Sequence, residues 1–184
     1  MALTATLHTL RVALNDADRG VYETLELRVA RHPSETLPYM LTRILAYCLF
    51  WEPDIEFSRG LSTTDEPAVW VKTPDGRIRW WIDVGHPSAS RLHKASKTAE
   101  HVAVCTFQNP EAFQRTLVGE RIHRGESIEL VGLPNEMLAP LEATVERRMA
   151  WDLTLTGGQL YISTENQSLG GEITRTTLIE PSRA

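Results

Sequence analysis

The stretch RWWIDVGHPSASRLHKASKTAEHVAVCTF, residues 79–107, carries the pattern that decides the fold. Arg79-Trp80-Trp81-Ile82-Asp83-Val84 is an aromatic and β-branched run stopped by Gly85-His86-Pro87, which reads as a strand and its end. Ser88 or Ser90 then caps a helix expected to reach about His101, with Leu92, Ala95, Ala99 and Val102 on its apolar side. Val102-Ala103-Val104-Cys105-Thr106-Phe107 is uniformly apolar and β-branched, as in a strand buried on both faces. A strand, a helix and an interior strand in succession require a sheet with a helix packed on it.

Upstream, Ile55 to Arg59 reads as a strand ended by Gly60. Ala68 to Lys72 reads as a second strand, joined to Arg79–Val84 through the Pro74-Asp75-Gly76 turn. Before these lies a helix with Ser34 as expected cap, Glu35 at its first position and Pro38 in its first turn. Leu37, Met40, Leu41, Ile44, Leu45 and Cys48 form its buried stripe, which runs to about Trp51. The N-terminus reads as a hairpin with a fairly long polar loop, Asn15 to Gly20. Downstream, Asn109-Pro110-Glu111 opens a short helix to about Leu117, and Ile128 to Val131 is a strand. Pro134-Asn135-Glu136 opens a helix carrying Leu138, Leu141, Val145 and Met149. A hairpin follows, Trp151–Leu155 and Leu160–Ser163 about Gly157-Gly158, with a last strand around Ile173 to Leu178. The class is α+β (mixed α/β), read as one domain over residues 1–184.

Composition limits the function. With 42% hydrophobic residues and only 11 Gly and 10 Pro in 184, the chain is neither disordered nor low in complexity. The longest mainly apolar run, Ile44 to Trp51, is too short to span a bilayer, and no basic start precedes an apolar signal core. A cytoplasmic protein that does not bind membranes is expected, and a monomer is taken as its state. Cys48 and Cys105 sit in apolar runs and read as buried thiols. A net charge of −5 opposes general coating of nucleic acid, which needs a basic surface to release counterions. Only Lys72, Lys94 and Lys97 are lysines among 19 basic residues, and two of the three lie one helical turn apart.

There is no phosphate-binding glycine loop, dinucleotide fingerprint, hydrolase elbow or zinc-like spacing. The chemistry therefore rests on acids and one basic helix face. Asp83 interrupts a strand too apolar to hydrate it, so a cation, a metal or hydrogen-bond donors must meet it. The following helix places Arg91, His93, Lys94, Lys97 and His101 opposite its apolar side, from which Lys94 or Arg91 can fold back to the strand end. Glu35, at the start of the long helix, and Asp65 and Glu66, ahead of Pro67, are the further acids of a converging site. Two or more acids and a lysine suit a divalent ion that activates water at a phosphodiester. The competing readings are a dipole-compensating Glu35, a solvated loop at Asp65 and Glu66, and an ion pair from Arg59 to one of these acids. Trp70, Trp80 and Trp81 read as core.

Arg31-His32-Pro33-Ser34-Glu35, Ser58-Arg59-Gly60-Leu61, Asp65-Glu66-Pro67 with Trp70, and Trp81-Ile82-Asp83-Val84-Gly85 running to Arg91 and Lys94 closely resemble the YaeQ family of bacterial proteins. The resemblance covers essentially the whole chain. It implies a compact variation on the PD-(D/E)XK nuclease core (helix, three strands, helix, strand) with added N- and C-terminal β-hairpins. Carried over, Glu66 (or Asp65) resembles the acid at the second strand, Asp83 that of the third, and Glu35 the helical acid. Glu35, Glu66 and Asp83 would hold Mg2+ or Mn2+. The chain departs from that pattern in two places: the acidic pair precedes its proline, and Gly85 stands where the lysine is expected, so Lys94 is the substitute. With Glu66, Asp83 and Lys94 as the catalytic set, Arg59, Arg91 and Lys97 would contact substrate phosphates through a local basic patch. The expectation is a magnesium-dependent nuclease-like protein. The alternatives are an inactive module of the same fold that binds nucleic acid or a protein partner, and a purely structural network of these acids with Arg59, Arg91 and Lys94.

Overall fold

Along Thr6–Asp16 (β1) every second side chain, His8, Leu10, Val12, Leu14 and Asp16, is buried, the period of a strand with one face on a core. Val21–Arg31 (β2) returns antiparallel, pairing Thr6 with Arg31 and Asp16 with Val21. The loop is thus only residues 17–20, shorter than the expected polar turn. Asn15 and Asp16 belong to the strand because Arg19 closes the turn on Asp16, its Nε 2.6 Å from Oδ2. The same guanidinium donates to the Cys48 and Trp51 carbonyls. In this computed structural model the described residues are 4–59 and 65–179.

Leu37–Leu49 (α1) begins later than expected. Thr36 is its cap, accepting from the Tyr39 N–H at 3.3 Å, and Glu35 belongs to the preceding turn, its N–H donating to the His32 carbonyl. Ile55–Phe57 (β3), Val69–Lys72 (β4) and Ile78–Val84 (β5) are antiparallel neighbours. Gly60 and Leu61 lie outside the described residues. Ala89–Thr98 (α2) is capped by Ser88 and ends three residues before His101. Ala99–Thr106 (β6) starts there because Ala99 already pairs with Ile78 in parallel register; His101 falls opposite Trp80, the rings 4.8 Å apart. His101 therefore leaves the helix face on which it was expected.

Pro110–Thr116 (α3) starts at its Asn109 cap as read. Glu129–Gly132 (β7) runs parallel to β6. The helix expected from Pro134 to Met149 is a single 3-10 turn, Asn135–Met137, and five residues, Leu138–Glu142 (α4). Thr144 bonds back to the Leu141 carbonyl, and Met149 sits in Arg148–Thr156 (β8), pairing with Leu10. Gln159–Ser163 (β9) completes the glycine hairpin. Thr174–Thr177 (β11) falls within the last strand expected around Ile173 to Leu178, whereas Ser168–Glu172 (β10), which has no alternating apolar pattern, is a strand the sequence reading missed.

The strands form two mixed sheets, β10-β9-β8-β1-β2 and β11-β7-β6-β5-β4-β3. The terminal hairpins join into one sheet because β8 pairs parallel with β1, from Thr9 with Arg148 to Asp16 with Leu155. One apolar cluster takes in the inner face of this sheet, nearly every side of α1 and one face of the six-stranded sheet through Val69, Val71, Ile82, Val84 and Cys105. Burial on all sides explains why α1 is apolar beyond a single stripe. A second cluster, with Trp81, Leu92, Ala95, Val104 and Phe113, packs α2 and α3 on the opposite face. Residue order along β5 thus divides cleanly: Ile82 and Val84 face α1, while Trp81 and Asp83 face α2.

Candidate functional site at the β5–α2 corner

Asp83, one residue before the end of β5, is 2% exposed, and its carboxylate takes three hydrogen bonds from two side chains. Arg91 reaches it bidentately, Nε to Oδ2 at 2.8 Å and Nη2 to Oδ1 at 2.7 Å, and the Trp81 indole N–H donates to Oδ2 at 2.9 Å. The local sequence builds this contact. Gly85 turns the chain at φ 78°, its N–H held by the Cys105 carbonyl, and Ser88 caps α2 on the Arg91 N–H. The third residue of α2 therefore faces back to the strand end. Arg91 folds back onto Asp83, and Lys94, one turn on, meets Asp65 instead at 2.5 Å.

Arg91 Nη2 also donates to the Glu66 main-chain carbonyl at 2.6 Å. Three oxygens, two from Asp83 and one from Glu66, thus converge on one guanidinium. Burial opposes ionisation of the Glu66 side chain, yet the Arg59 N–H and guanidinium bind it and keep its carboxyl below the ordinary range. The hydrogen bond from Lys94 likewise lowers Asp65. Arg59 is on the surface, its side chain 78% exposed, and realises the ion pair weighed against its phosphate role. Lys97 is exposed in the last turn of α2.

Glu35 is buried and paired with Arg43, whose Nη2 lies 2.9 Å from Oε1 and 3.1 Å from Oε2. The first contact is an ion pair without hydrogen-bond alignment, so Oε1 and the Arg43 Nε are left without such a bond. Burial raises the Glu35 carboxyl, and Arg43 and the His32 N–H only partly offset it. The expected acids are therefore separately partnered. Among the described residues, no three His, Cys, Asp or Glu side chains are placed to hold one metal ion. The cation seat that does exist pairs the Asp83 carboxylate with the Glu66 carbonyl. That donor set suits a hard cation, which takes oxygen ligands from carboxylates and backbone carbonyls alike.

Two residues at this corner escaped the sequence reading. Arg43 is the lone charge between Leu37 and Trp51, and that isolation was the available signal. Tyr39 stands one turn before it, half-buried, its hydroxyl raised by burial and by the charge of Asp83, with Arg43, Arg91 and Glu35 also acting on it. Of the tryptophans, Trp81 is core, Trp80 packs on Phe50, and Trp70 is partly exposed with the Lys72 ammonium 3.5 Å from its ring centroid.

Fold and corner together define a mixed α+β protein with a charged cluster where a central strand of a six-stranded sheet meets a helix N-terminus. The chain belongs to the YaeQ family, whose model (YaeQ protein) matches residues 1–173. The "Uncharacterized protein YaeQ" of Escherichia coli K12 is 32% identical over 187 aligned positions, covering 99% of this chain and 100% of that protein, and the Salmonella typhi protein of the same description is also 32% identical. The crystal structure of YaeQ protein from Xanthomonas axonopodis pv. citri superposes with a TM-score of 0.86 at 30% identity, covering 97% of this chain and 100% of that one. That from Pseudomonas syringae gives 0.83 at 29%, covering 94% and 96%. Among the described residues no helix is long and apolar enough to cross a membrane.

Proposed function

We propose that the β5–α2 corner is a phosphodiester-directed site on a PD-(D/E)XK-like core, in a cytoplasmic protein that acts on nucleic acid in a magnesium- or manganese-dependent way. One observation carries the reading: the Asp83 carboxylate and the Glu66 carbonyl form an oxygen-lined seat around a positive group, at the end of the strand where such chemistry is expected. The element order α1, β3, β4, β5, α2, β6, with β3–β5 antiparallel and β6 parallel to β5, supports the core assignment. Bound at this seat, a divalent ion supplies a water of lowered pKa and positive charge against the phosphate. Asp83 and Glu66 hold the seat. Lys94 and Arg59, both paired with acids at the rim, exchange those partners for phosphate oxygens, since solvent-screened ion pairs contribute little. Lys97 extends the basic edge along α2. Glu35 fixes Arg43, and both act on Tyr39, which the charge of Asp83 also reaches.

The test is nicking of DNA or RNA by purified protein with Mg2+ or Mn2+, abolished by Asp83→Ala and reduced by Lys94→Ala. Cleavage indifferent to both substitutions overturns the assignment. A second reading, an inactive module of the same core, draws on the separate pairing of Glu35, Asp65, Glu66 and Asp83 with their own cations. It predicts oligonucleotide binding without cleavage in either metal.

A further inference from the structure

Arg91 fills a place that suits a cation of another kind. Its contacts to Asp83 and the Glu66 carbonyl, 2.6–2.8 Å long, use the oxygens a hard divalent ion would take, so guanidinium and ion cannot share the seat. The two partners differ in freedom. The Asp83 side chain is 3% exposed and fixed by Trp81, while the Arg91 side chain is 26% exposed on the first turn of a helix, so Arg91 is the one that can leave. The turn between Asp83 and α2 is open: a Cβ built on Gly85 would meet nothing within 4 Å. A phosphate offers the departing guanidinium two oxygens for a bidentate pair, as the Asp83 carboxylate does now.

We infer that Arg91 is an exchangeable cation: it guards the Asp83–Glu66 seat until a phosphate group of the nucleic-acid substrate draws it away, and it then yields the seat to a divalent cation. Phosphate and metal binding are therefore mutually reinforcing. Because coupling free energy is reciprocal, each ligand must tighten the other by the same factor. This rests on the phosphodiester reading for its ligand class, but it concerns binding alone.

The experiment is a thermal-melt titration of the full chain with Mg2+, inorganic phosphate, and both. In the wild type, Mg2+ alone leaves Tm nearly unchanged, and Mg2+ with phosphate raises it by more than the sum of the separate shifts. In Arg91→Ala, Mg2+ alone raises Tm by about 3–6 °C at ten times its Kd. The double variant Asp83→Asn/Arg91→Ala loses that response. Should Arg91→Ala not fold, Arg91→Lys serves, because an ammonium cannot span the three oxygens, and an intermediate Mg2+ response is expected. Additive shifts in the wild type, or no gain of Mg2+ response in the Arg91 variants, overturn the exchange. The two proposals fail separately. Absent cleavage with intact coupling removes only the nuclease activity, and cleavage without coupling removes only the exchange.

Discussion

Substituting Asp83 and Arg91 singly and together should give unequal costs, because water reaches only one of the pair. Arg91→Ala strands a carboxylate at 2% exposure, with the Trp81 N–H at 2.9 Å left to hold it. Removing one member of a buried pair costs about 3–5 kcal/mol. Asp83→Ala leaves an arginine that keeps the Glu66 carbonyl and can turn toward solvent. Its main casualty is the buried Trp81 N–H, worth about 1–3 kcal/mol unsatisfied. In a 184-residue chain each kcal/mol moves Tm by about 2–4 °C, so Arg91→Ala falls by about 6–20 °C and Asp83→Ala by about 2–12 °C. The double variant removes both charges and, beyond Asp83→Ala, gives up only the bond to the Glu66 carbonyl, so its loss should fall short of the two single losses added. Urea and thermal melts followed by circular dichroism at pH 7 measure all four corners of the cycle. An Asp83→Ala protein less stable than Arg91→Ala, or single losses that simply add in the double variant, would refute the buried-carboxylate argument.

Other sites make separate demands. Asp18 accepts the Gly157 and Gly158 N–H groups, which tie the first hairpin turn to the β8–β9 turn and lower its carboxyl. The stability it contributes is therefore present above pH 3.8 and lost as pH falls through the lowered folded value, and Asp18→Asn should flatten that part of the acid profile of urea midpoints. Glu35 has the opposite sign. Its folded carboxyl is raised by burial, so the unfolded chain gives up its proton first. Stability then declines as pH climbs above 4.5 until the folded group ionises, and Glu35→Gln should remove this decline. Burial pushes the Cys48 thiol up to about 12 and raises Cys105 as well. Ellman's reagent at pH 8 should find no reactive thiol in the native protein and two after unfolding.

The fold was legible where local chemistry and tertiary demand agree. Asn109 caps α3, as its place before Pro110 indicates, and Ser88, one of the two serines expected as cap, caps α2. It was illegible where a distant strand decided the outcome. Helical periodicity carries α2 toward His101, but parallel pairing of Ala99 with Ile78 ends it at Thr98. Likewise no local signal joins the two terminal hairpins, because the register between β1 and β8 is set across more than a hundred residues. Sheet pairing is non-local by nature, so edges such as β10, with Gly170 and Gly171 inside it, escape any windowed reading.

At the corner the sequence named the acids and cations but not their pairing. Asp83 as a charge inside an apolar strand required a partner, and either Arg91 or Lys94 could supply one. The choice follows from helix phase and chemistry together. Ser88 caps α2 so that its third residue looks back at the strand end, and the residue there must satisfy both Asp83 oxygens and a carbonyl at once. An ammonium is a point charge without that fork, whereas a guanidinium spans it. Lys94, a turn further on, meets the exposed Asp65 with a single contact, where a compact and readily released cation is sufficient. The scarcity of lysine thus acquires a local meaning on α2: arginine occupies the buried fork, and lysines stand where the helix face opens to solvent.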